Sequence, residues 1–393
     1  MSAARPLGAD PAPGTAPAAV TAAGLTLPRV GQGTTRTGPW ATASAASDRA
    51  RIDVLRLGID LGMTLIDTAE LYGGGHAEDV VGRALAGRRD RVVLASKFNP
   101  AHSGYGDVVA AAERSLRRLR TDWLDLYQVH WPEPRIPFAE TVRALERLVA
   151  DGKVRAVGLG NMTRAELAAA RAAARALPLT TVQVEYSLAQ RAAEADVLPY
   201  CAAEGLAVLA YSVLDRGALP ASGRGRRALA AVAAARGCTH AQVMLAWALA
   251  RPGVVALVQT ASAAHTRENA AAAAIVLDPG ERARLDAAFR QRVVRVPPVL
   301  IRVRTAANPA GYRTADEARR NPRDLVPAPA SLALGLAGGS LVKPLPLAPA
   351  PDGAWDLLDG EVLYWAWVLA HGIDEPMPAF VKGTGDGEDE EDA

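Results

Sequence analysis

The chain has 393 residues, with 44 basic and 42 acidic side chains and a formal net charge of +2. This balance argues against a dedicated nucleic-acid-binding protein, which would usually be clearly basic. No segment reaches the roughly 18–20 uninterrupted apolar residues of a membrane span, so we expect no membrane partner. Because domains usually contain roughly 100–200 residues, the length allows one large domain and a small one.

The charge is unevenly distributed along the chain. The first 299 residues contain 36 basic and 27 acidic side chains, residues 300–385 are almost neutral, and residues 386–393 hold six acids. Residues 1–24 are rich in Ala and Pro and lack the apolar block of a secretory signal. We therefore expect a disordered leader at 1–24 and a disordered acidic tail at 385–393.

Short β-rich segments alternate with longer helical segments between residues 25 and 292. The eight predicted strands lie at 27–33, 64–69, 92–98, 124–130, 154–161, 181–187, 207–213 and 254–260. Helical periodicity is visible at 105–120, 137–151, 163–175 and 226–250. The strands are apolar with little alternation, as expected when both faces are buried. The pattern predicts an α/β fold, a (β/α)8 TIM barrel at 25–292, and the absence of G-x-G-x-x-G disfavours a Rossmann fold.

Polar side chains occur at or just after the ends of these predicted strands. They are Asp67, Lys97, His130, Asn161, Gln183 and Tyr211. In a barrel of this kind the chemistry takes place at the carboxyl ends of the strands, so all six should point towards one mouth. Lys97 is one of only four lysines in an Arg-rich chain, which suggests that its own chemistry is needed.

Asp67, Tyr72, Lys97 and His130 together suggest proton transfer. A free tyrosine has a pKa of about 10, and a nearby ammonium favours the phenolate. A buried carboxylate would keep that ammonium charged, and a neutral imidazole donates a hydrogen bond to a carbonyl. The set suits an oxygen that gains negative charge during hydride transfer. Taken singly, Asp67 is better explained as a helix cap and Tyr72 as a packing residue.

At these residues the sequence resembles the aldo-keto reductase superfamily, over about residues 25–290. The motifs that carry the resemblance, in order, are LPRVGQGT (27–34), DTAELYGGG (67–75), ASK (95–97), DLYQVHWP (125–132), GKVRAVGLGN (152–161), VQVEYS (182–187), AYSVLDRG (210–217) and REN (267–269). The resemblance implies that Tyr72 is the general acid and that Lys97 lowers its pKa. It further implies that Asp67 supports Lys97 and that His130 orients the carbonyl.

The same resemblance implies a nicotinamide cofactor, NADPH with NADH as the alternative. Asn161 and Gln183 would hold the carboxamide, Tyr211 would stack on the nicotinamide, and Ser212, Leu214 and Arg216 would cover the pyrophosphate. Arg267 and Asn269 match residues that contact the adenine and its ribose 2′-phosphate, although Arg267 also suits a solvated helix position. Two departures from the family motifs affect this site: the first removes a hydroxyl near the carboxamide, and the second removes a Lys and leaves the choice of cofactor open. Gly160 replaces a usual Ser, and Gln259-Thr260 replaces a usual Pro-Lys or Pro-Gly.

The substrate side is expected to be aromatic, which suits a hydrophobic carbonyl compound. Trp40, Phe98 and Trp131 would line the mouth together with Leu214, although packing is the alternative for Trp131. His76 is interpreted as the start of a helix. The sequence contains no cluster of His, Cys and Asp that would predict a metal site. With only two cysteines, Cys201 and Cys238, we expect no disulfide framework, and a cytoplasmic location is favoured.

Residues 293–384 are predicted to form a small α+β domain. Segment 320–381 loosely resembles the ParB/sulfiredoxin-like fold, with Gly360-Glu361 opening a helix, but no arginine follows to bind phosphate. We therefore favour a module for packing, for capping the active site or for binding a protein partner. The alternative is a retained nucleotide-dependent activity in which Glu361 takes part. Trp365 and Trp367 are expected in the core.

The leading hypothesis is an NAD(P)H-dependent oxidoreductase that reduces an aldehyde or ketone to an alcohol, or catalyses the reverse. Its substrate would be a small carbonyl compound or one presented on a larger molecule. The alternative is a catalytically weak cofactor-binding sensor whose C-terminal domain contacts a partner or a nucleotide.

Overall fold

The computed structural model describes residues 19–35, 44–215, 223–290, 293–303, 308–337 and 344–381. The chain divides into two compact units. The larger comprises residues 1–132, 136–219 and 225–288, and the smaller comprises residues 133–135, 220–224 and 289–393. In the described ranges, no helix is both long and apolar enough to cross a membrane.

A closed barrel of eight parallel strands forms the centre of the larger unit. Its strands are β3 Val30–Gly33, β4 Leu65–Asp67, β5 Val93–Phe98, β6 Leu124–Val129, β7 Val154–Gly160, β8 Leu179–Glu185, β9 Ala207–Tyr211 and β10 Val254–Val258. Each strand pairs with the next along the chain, and β10 pairs with β3 to close the barrel. Strands β6 and β10 are buried at every position. The sequence of β10 is apolar throughout, as expected of a strand buried on both faces, whereas β6 also buries Asp125 and Gln128. The predicted (β/α)8 barrel is confirmed.

In the part of the chain that the structure describes, ten helices accompany the strands. They are α1 Ala45–Asp60, α2 His76–Ala84, α3 Tyr105–Leu119, α4 Phe138–Ala150, α5 Arg164–Ala173, α6 Val197–Glu204, α7 Gly223–Arg236, α8 His240–Leu249, α9 Ala263–Ala271 and α10 Pro279–Ala288. Helix α2 begins at His76, as predicted. The periodic segment 226–250 is two helices, because Gly237 adopts a φ of 59° and Thr239 then caps α8 by accepting from Gln242 N.

The predicted disordered leader is too long at its C-terminal end. Residues from 19 onward form an antiparallel hairpin of β1 Ala19–Ala22 and β2 Leu25–Pro28. Ala22 and Leu27 are buried and share one hydrophobic cluster with side chains of the barrel strands. Burying this apolar surface offsets the entropy cost of ordering the hairpin, which the Ala/Pro-rich composition did not reveal.

The described residues of the smaller unit form a five-stranded sheet and three helices. Its elements are β11 Val293–Val296, β12 Ile301–Arg302, α11 Ala315–Arg320, α12 Pro329–Ala337, β13 Leu345–Pro349, β14 Trp355–Leu357, α13 Glu361–His371 and β15 Met377–Val381. The strand order is β11-β15-β13-β14-β12. Trp365 and Trp367 on α13 are 5% and 7% exposed, so both lie in the core of this unit, as expected.

Glu361 is bound within the smaller unit. Its carboxylate accepts hydrogen bonds from Tyr312 N at 2.7 Å, Asn308 Nδ2 at 2.9 Å and Arg323 Nη1 at 2.7 Å. A carboxylate at the start of α13 complements the helix dipole and satisfies neighbouring donors. These contacts favour a structural role for Glu361 over the nucleotide-dependent alternative.

Candidate active site

Polar residues from three strand ends and one adjoining turn converge at the carboxyl-terminal mouth of the barrel. Asp67 ends β4, Lys97 lies near the end of β5, and His130 directly follows β6. Tyr72 begins a short 3-10 turn, Tyr72–Gly75, in which Gly73, Gly74 and Gly75 all have positive φ. Glycine adopts this backbone without steric cost, so the three glycines allow the chain to turn sharply into α2.

Lys97 is the centre of this group. Its Nζ donates to Asp67 Oδ2 at 2.7 Å, to the Thr68 carbonyl oxygen at 3.0 Å and to Tyr72 Oη at 3.2 Å. Lys97 is 1% exposed and Asp67 is 3% exposed. An ammonium has three donors, and here all three have partners, so the position of Lys97 is fully determined.

Burial and charge set the protonation states of Lys97 and Tyr72. Burial is the largest single influence on the pKa of Lys97 and lowers it, but Asp67 and Tyr72 together outweigh burial, and the pKa is raised. The loss of solvation raises the pKa of the Tyr72 phenol; Lys97 opposes this shift and Asp67 adds to it. Lys97 therefore acts to lower the pKa of Tyr72, as the family resemblance implied, but the loss of solvation raises it by more. At neutral pH Lys97 is charged and Tyr72 carries its proton.

His130 lies against Tyr72 and Trp131. Its ring is 5.6 Å from the ring of Tyr72 in an edge-on arrangement and 4.0 Å from the ring of Trp131, stacked. Burial, with the charge of Lys97 as the second cause, holds the pKa of His130 well below its ordinary value. The imidazole is therefore neutral. Its Nδ1 is buried and has no hydrogen-bond partner among the described residues.

Asn161 joins three parts of the mouth. It follows β7 in a left-handed conformation with a φ of 55°, which asparagine tolerates better than most residues. Its Nδ2 donates to the His130 carbonyl oxygen at 2.9 Å, and its Oδ1 accepts from Tyr211 Oη at 2.8 Å. The Asn161 N–H donates to the Gln183 carbonyl oxygen at 2.9 Å. The amide is thus held in one orientation.

The close packing around Gly160 explains why glycine stands where the family motif usually has serine. A Cβ at this position would lie 2.7 Å from the carbonyl oxygens of both Val129 and His130. Glycine therefore permits the close approach of β6 and β7 beside which Asn161 reaches His130. The hydroxyl expected from the family motif is absent, and a side chain at this position would collide with the backbone of β6.

A cavity of about 1370 Å³ opens beside these residues, within the larger unit. Its lining includes Asp67, Tyr72, His130, Trp131, Asn161, Gln183, Tyr211, Ser212, Leu214 and Asn269. The volume exceeds the roughly 300–1,000 Å³ of ordinary small-ligand pockets, so the cavity has room for a large ligand. The unpartnered Nδ1 of His130 and the fixed amide of Asn161 lie at or beside its wall.

Other predicted residues do not reach this cavity. Phe98 is completely buried and packs against Tyr127 at 5.4 Å, so its prediction as a mouth residue is wrong: its side chain faces the core and not the opening. Arg267 is exposed, donates to the Ala263 carbonyl oxygen at 3.3 Å and does not line the cavity. Trp40 and Arg216 lie outside the described residues.

Two residues of the site escaped the sequence analysis. Gln128 is fully buried on β6 and donates to Asp67 Oδ1 at 3.1 Å, beside Gln183, which donates to the same oxygen at 3.0 Å. Glu70 accepts from Asn99 N at 2.7 Å and from Arg114 Nη2 at 3.1 Å, and so holds the loop that carries Tyr72. In the sequence, the only sign of either residue was a polar side chain inside a largely apolar segment. That sign does not identify the group to which the side chain binds.

Cys238 also lines the cavity, but burial raises the pKa of its thiol, so it is protonated at neutral pH. Among the residues that the structure describes, no group of three or more His, Cys, Asp or Glu side chains is arranged to hold a metal ion.

The fold and the site define a (β/α)8 barrel protein with a ligand cavity at the carboxyl ends of its strands. The model of the Aldo/keto reductase family matches residues 29–290. Methylglyoxal reductase YeaE from Escherichia coli K12 is 42% identical over 267 residues, which cover 67% of this chain and 92% of YeaE.

Solved structures of aldo-keto reductases also match this chain. A crystal structure of an aldo/keto reductase from Klebsiella pneumoniae, in complex with NADP and acetate, is 43% identical with a TM-score of 0.65. The match covers 69% of this chain and 95% of that chain. The thermostable aldo-keto reductase Tm1743, in complex with the inhibitor epalrestat, is 36% identical with a TM-score of 0.65, over 69% and 99% of the two chains. The chain belongs to the aldo/keto reductase family and is an oxidoreductase of that family.

Proposed function

We propose that this protein uses NADPH to reduce an aldehyde or ketone to an alcohol, or catalyses the reverse reaction, with Tyr72 as the general acid. The contact between Tyr72 Oη and Lys97 Nζ at 3.2 Å carries the proposal. A protonated phenol beside a fixed ammonium suits protonation of an oxygen that gains negative charge.

The cavity supports a dinucleotide cofactor. Its volume of about 1370 Å³ suits a ligand of that size, and Tyr211 lies in the wall beside Tyr72 and His130. Asn161, Gln183 and Tyr211 would hold the nicotinamide end, and Ser212 and Leu214 would contact the pyrophosphate. A bound reduced nicotinamide supplies a hydride. The related Klebsiella protein binds NADP, which supports NADPH as the cofactor here.

Tyr72, His130 and Lys97 would each have one task. The neutral imidazole of His130 donates a hydrogen bond to the substrate carbonyl and orients it. Tyr72 Oη donates a proton to the same oxygen. Lys97 stabilises the phenolate that Tyr72 leaves behind, and Asp67 keeps Lys97 charged and in place.

The substrate proposal is a small carbonyl compound, because Trp131 and Leu214 supply an apolar wall beside His130. YeaE is named a methylglyoxal reductase, so methylglyoxal is the first compound to test. Purified full-length protein should consume NADPH with methylglyoxal or another aldehyde, and Tyr72→Phe should abolish turnover while retaining NADPH binding. Tight NADPH binding without turnover of any aldehyde would instead favour the sensor hypothesis.

For the smaller unit, we propose a role in substrate access or in binding a partner. The sequence places it directly after the last barrel helix, where family members carry a segment that shapes the substrate pocket. A chain ending at residue 299 should keep NADPH affinity but change KM for carbonyl substrates. Identical steady-state parameters for every substrate would contradict the access role.

A further inference from the structure

The cavity wall contains little positive charge for a ligand with several phosphates. Among the described residues that line it, Arg51 is the only arginine or lysine, whereas Asp67 and Glu268 contribute acids. NADH carries a pyrophosphate, and NADPH adds a third phosphate on its adenosine ribose. Phosphate is most effectively bound by arginine, whose planar fork matches its oxygens.

Arg51 has far more hydrogen-bonding capacity than it uses. Its side chain is 12% exposed, and its one described polar contact is Nη1 to Asp48 Oδ1, at a long 3.4 Å. Asp48 already accepts from Arg83 and lies 2.9 Å from His76 Nε2. A guanidinium has five donors, and a largely buried cation with few partners is costly. The arrangement indicates a surplus cation held for an anionic ligand.

Arg51 lies on a helix that packs against α9, whose Asn269 matches the family residue that contacts the adenine and its ribose. Arg51 and Leu55 lie one turn apart on α1, and both line the cavity. Helix α1 packs against α9, which contributes His265, Glu268 and Asn269 from one face. Both are outer helices of the barrel, whereas Tyr72 and His130 lie over the ends of the strands.

Within the described ranges, two other positions considered for this charge are neutral or directed elsewhere. Gln259 is neutral, and its Oε1 accepts from Thr35 Oγ1 at 2.6 Å. Arg267 is exposed and bonded to its own helix backbone. We propose that Arg51 binds the ribose 2′-phosphate of NADPH and thereby makes the protein prefer NADPH over NADH. This inference rests on the proposed function.

The test measures dissociation constants for NADPH, NADH and 2′,5′-ADP by quenching of tryptophan fluorescence in the full-length protein. Arg51→Leu should raise the dissociation constants for NADPH and 2′,5′-ADP by about tenfold or more, while the constant for NADH changes by less than about twofold. Arg51→Lys keeps the positive charge without the planar guanidinium and should lose less NADPH affinity than Arg51→Leu. Arg49→Leu, an exposed arginine on the same helix, is the matched control and should bind both cofactors like the parent. Thermal melting of each ligand-free variant checks that it folds.

The binding measurements distinguish a role of Arg51 at the 2′-phosphate from a role at the pyrophosphate or in folding. Equal losses for NADPH and NADH would assign Arg51 to the pyrophosphate or to folding and overturn the proposal. Unchanged binding of both cofactors would also overturn it. A parent that binds neither dinucleotide would contradict the proposed function itself, and the assignment of Arg51 with it. A selective loss of NADPH affinity that Arg51→Lys partly restores would support it.

Discussion

The ammonium of Lys97 lies 3.2 Å from the phenolic oxygen of Tyr72, although the two residues lie on different strand-to-helix units. The same ammonium lies 2.7 Å from Asp67, so one buried charge links the phenol to a carboxylate. We expect both the proposed chemistry and the stability of the barrel mouth to depend on this arrangement.

Replacing Tyr72 by Phe should remove catalysis selectively. The variant loses one oxygen, so we expect kcat to fall by about 10²–10⁴-fold, the usual contribution of a general acid. The dissociation constant for NADPH should change little. Stopped-flow and steady-state rates with an aldehyde provide the measurement, and a variant as active as the parent would rule out Tyr72 as the acid.

The ionisation of Tyr72 can be measured directly. Because the loss of solvation outweighs Lys97, the pKa of Tyr72 should exceed its ordinary value of 10 in the ligand-free protein. An ultraviolet titration of the parent minus that of Tyr72→Phe isolates this phenol. We expect no phenolate signal below about pH 10. A difference signal that appears between about pH 7 and 9 would mean that Lys97 dominates instead.

The buried pair of Asp67 and Lys97 should be costly to break from one side. Asp67→Asn leaves the ammonium without its carboxylate, and we expect a loss of about 3–5 kcal/mol in the free energy of unfolding. The double variant Asp67→Leu/Lys97→Met should recover part of that stability but no activity. Asp60→Asn, at an exposed pair, is the control with a small effect. Urea unfolding provides the measurement; equal effects at Asp67 and Asp60 would contradict the buried pair.

His130 should make stability depend on pH in one direction. Its folded-state pKa is depressed, whereas its unfolded-state pKa is about 6.5. The unfolded chain therefore binds more protons below about pH 6.5, and stability should fall as the pH falls through that value. The difference in unfolding free energy between the parent and His130→Gln should rise with pH and level off above about 6.5. The opposite slope would indicate a charged His130, and exposed His265→Gln is the control.

Gly160→Ala should weaken both the fold and the cofactor site. The added Cβ meets two carbonyl oxygens at 2.7 Å, so β6 and β7 must separate. We expect a loss of about 1–3 kcal/mol in stability and weaker NADPH binding through Asn161. Gly106→Ala, in α3 with no atom within 4 Å of the added Cβ, should be neutral or stabilising. A Gly160→Ala variant as stable as Gly106→Ala would contradict the close strand contact.

The apolar strand segments and the helices between them sufficed to predict the barrel, because burial on both faces leaves a local pattern. The order of Asp67, Tyr72, Lys97 and His130 likewise predicted a shared mouth, because parallel strands place their carboxyl ends together. Phe98 shows where this reasoning stops: being near a strand end does not determine which way a side chain points.

The sequence by itself determined the fold class and the identity of the four polar residues at the mouth. Only the tertiary structure decided that burial raises the pKa of Tyr72 despite Lys97, because desolvation depends on every atom packed around the phenol. It likewise placed Arg51, which belongs to none of the motifs, in the cavity wall. Distance and burial between remote segments are properties of the folded chain, and they govern charge, protonation and ligand choice.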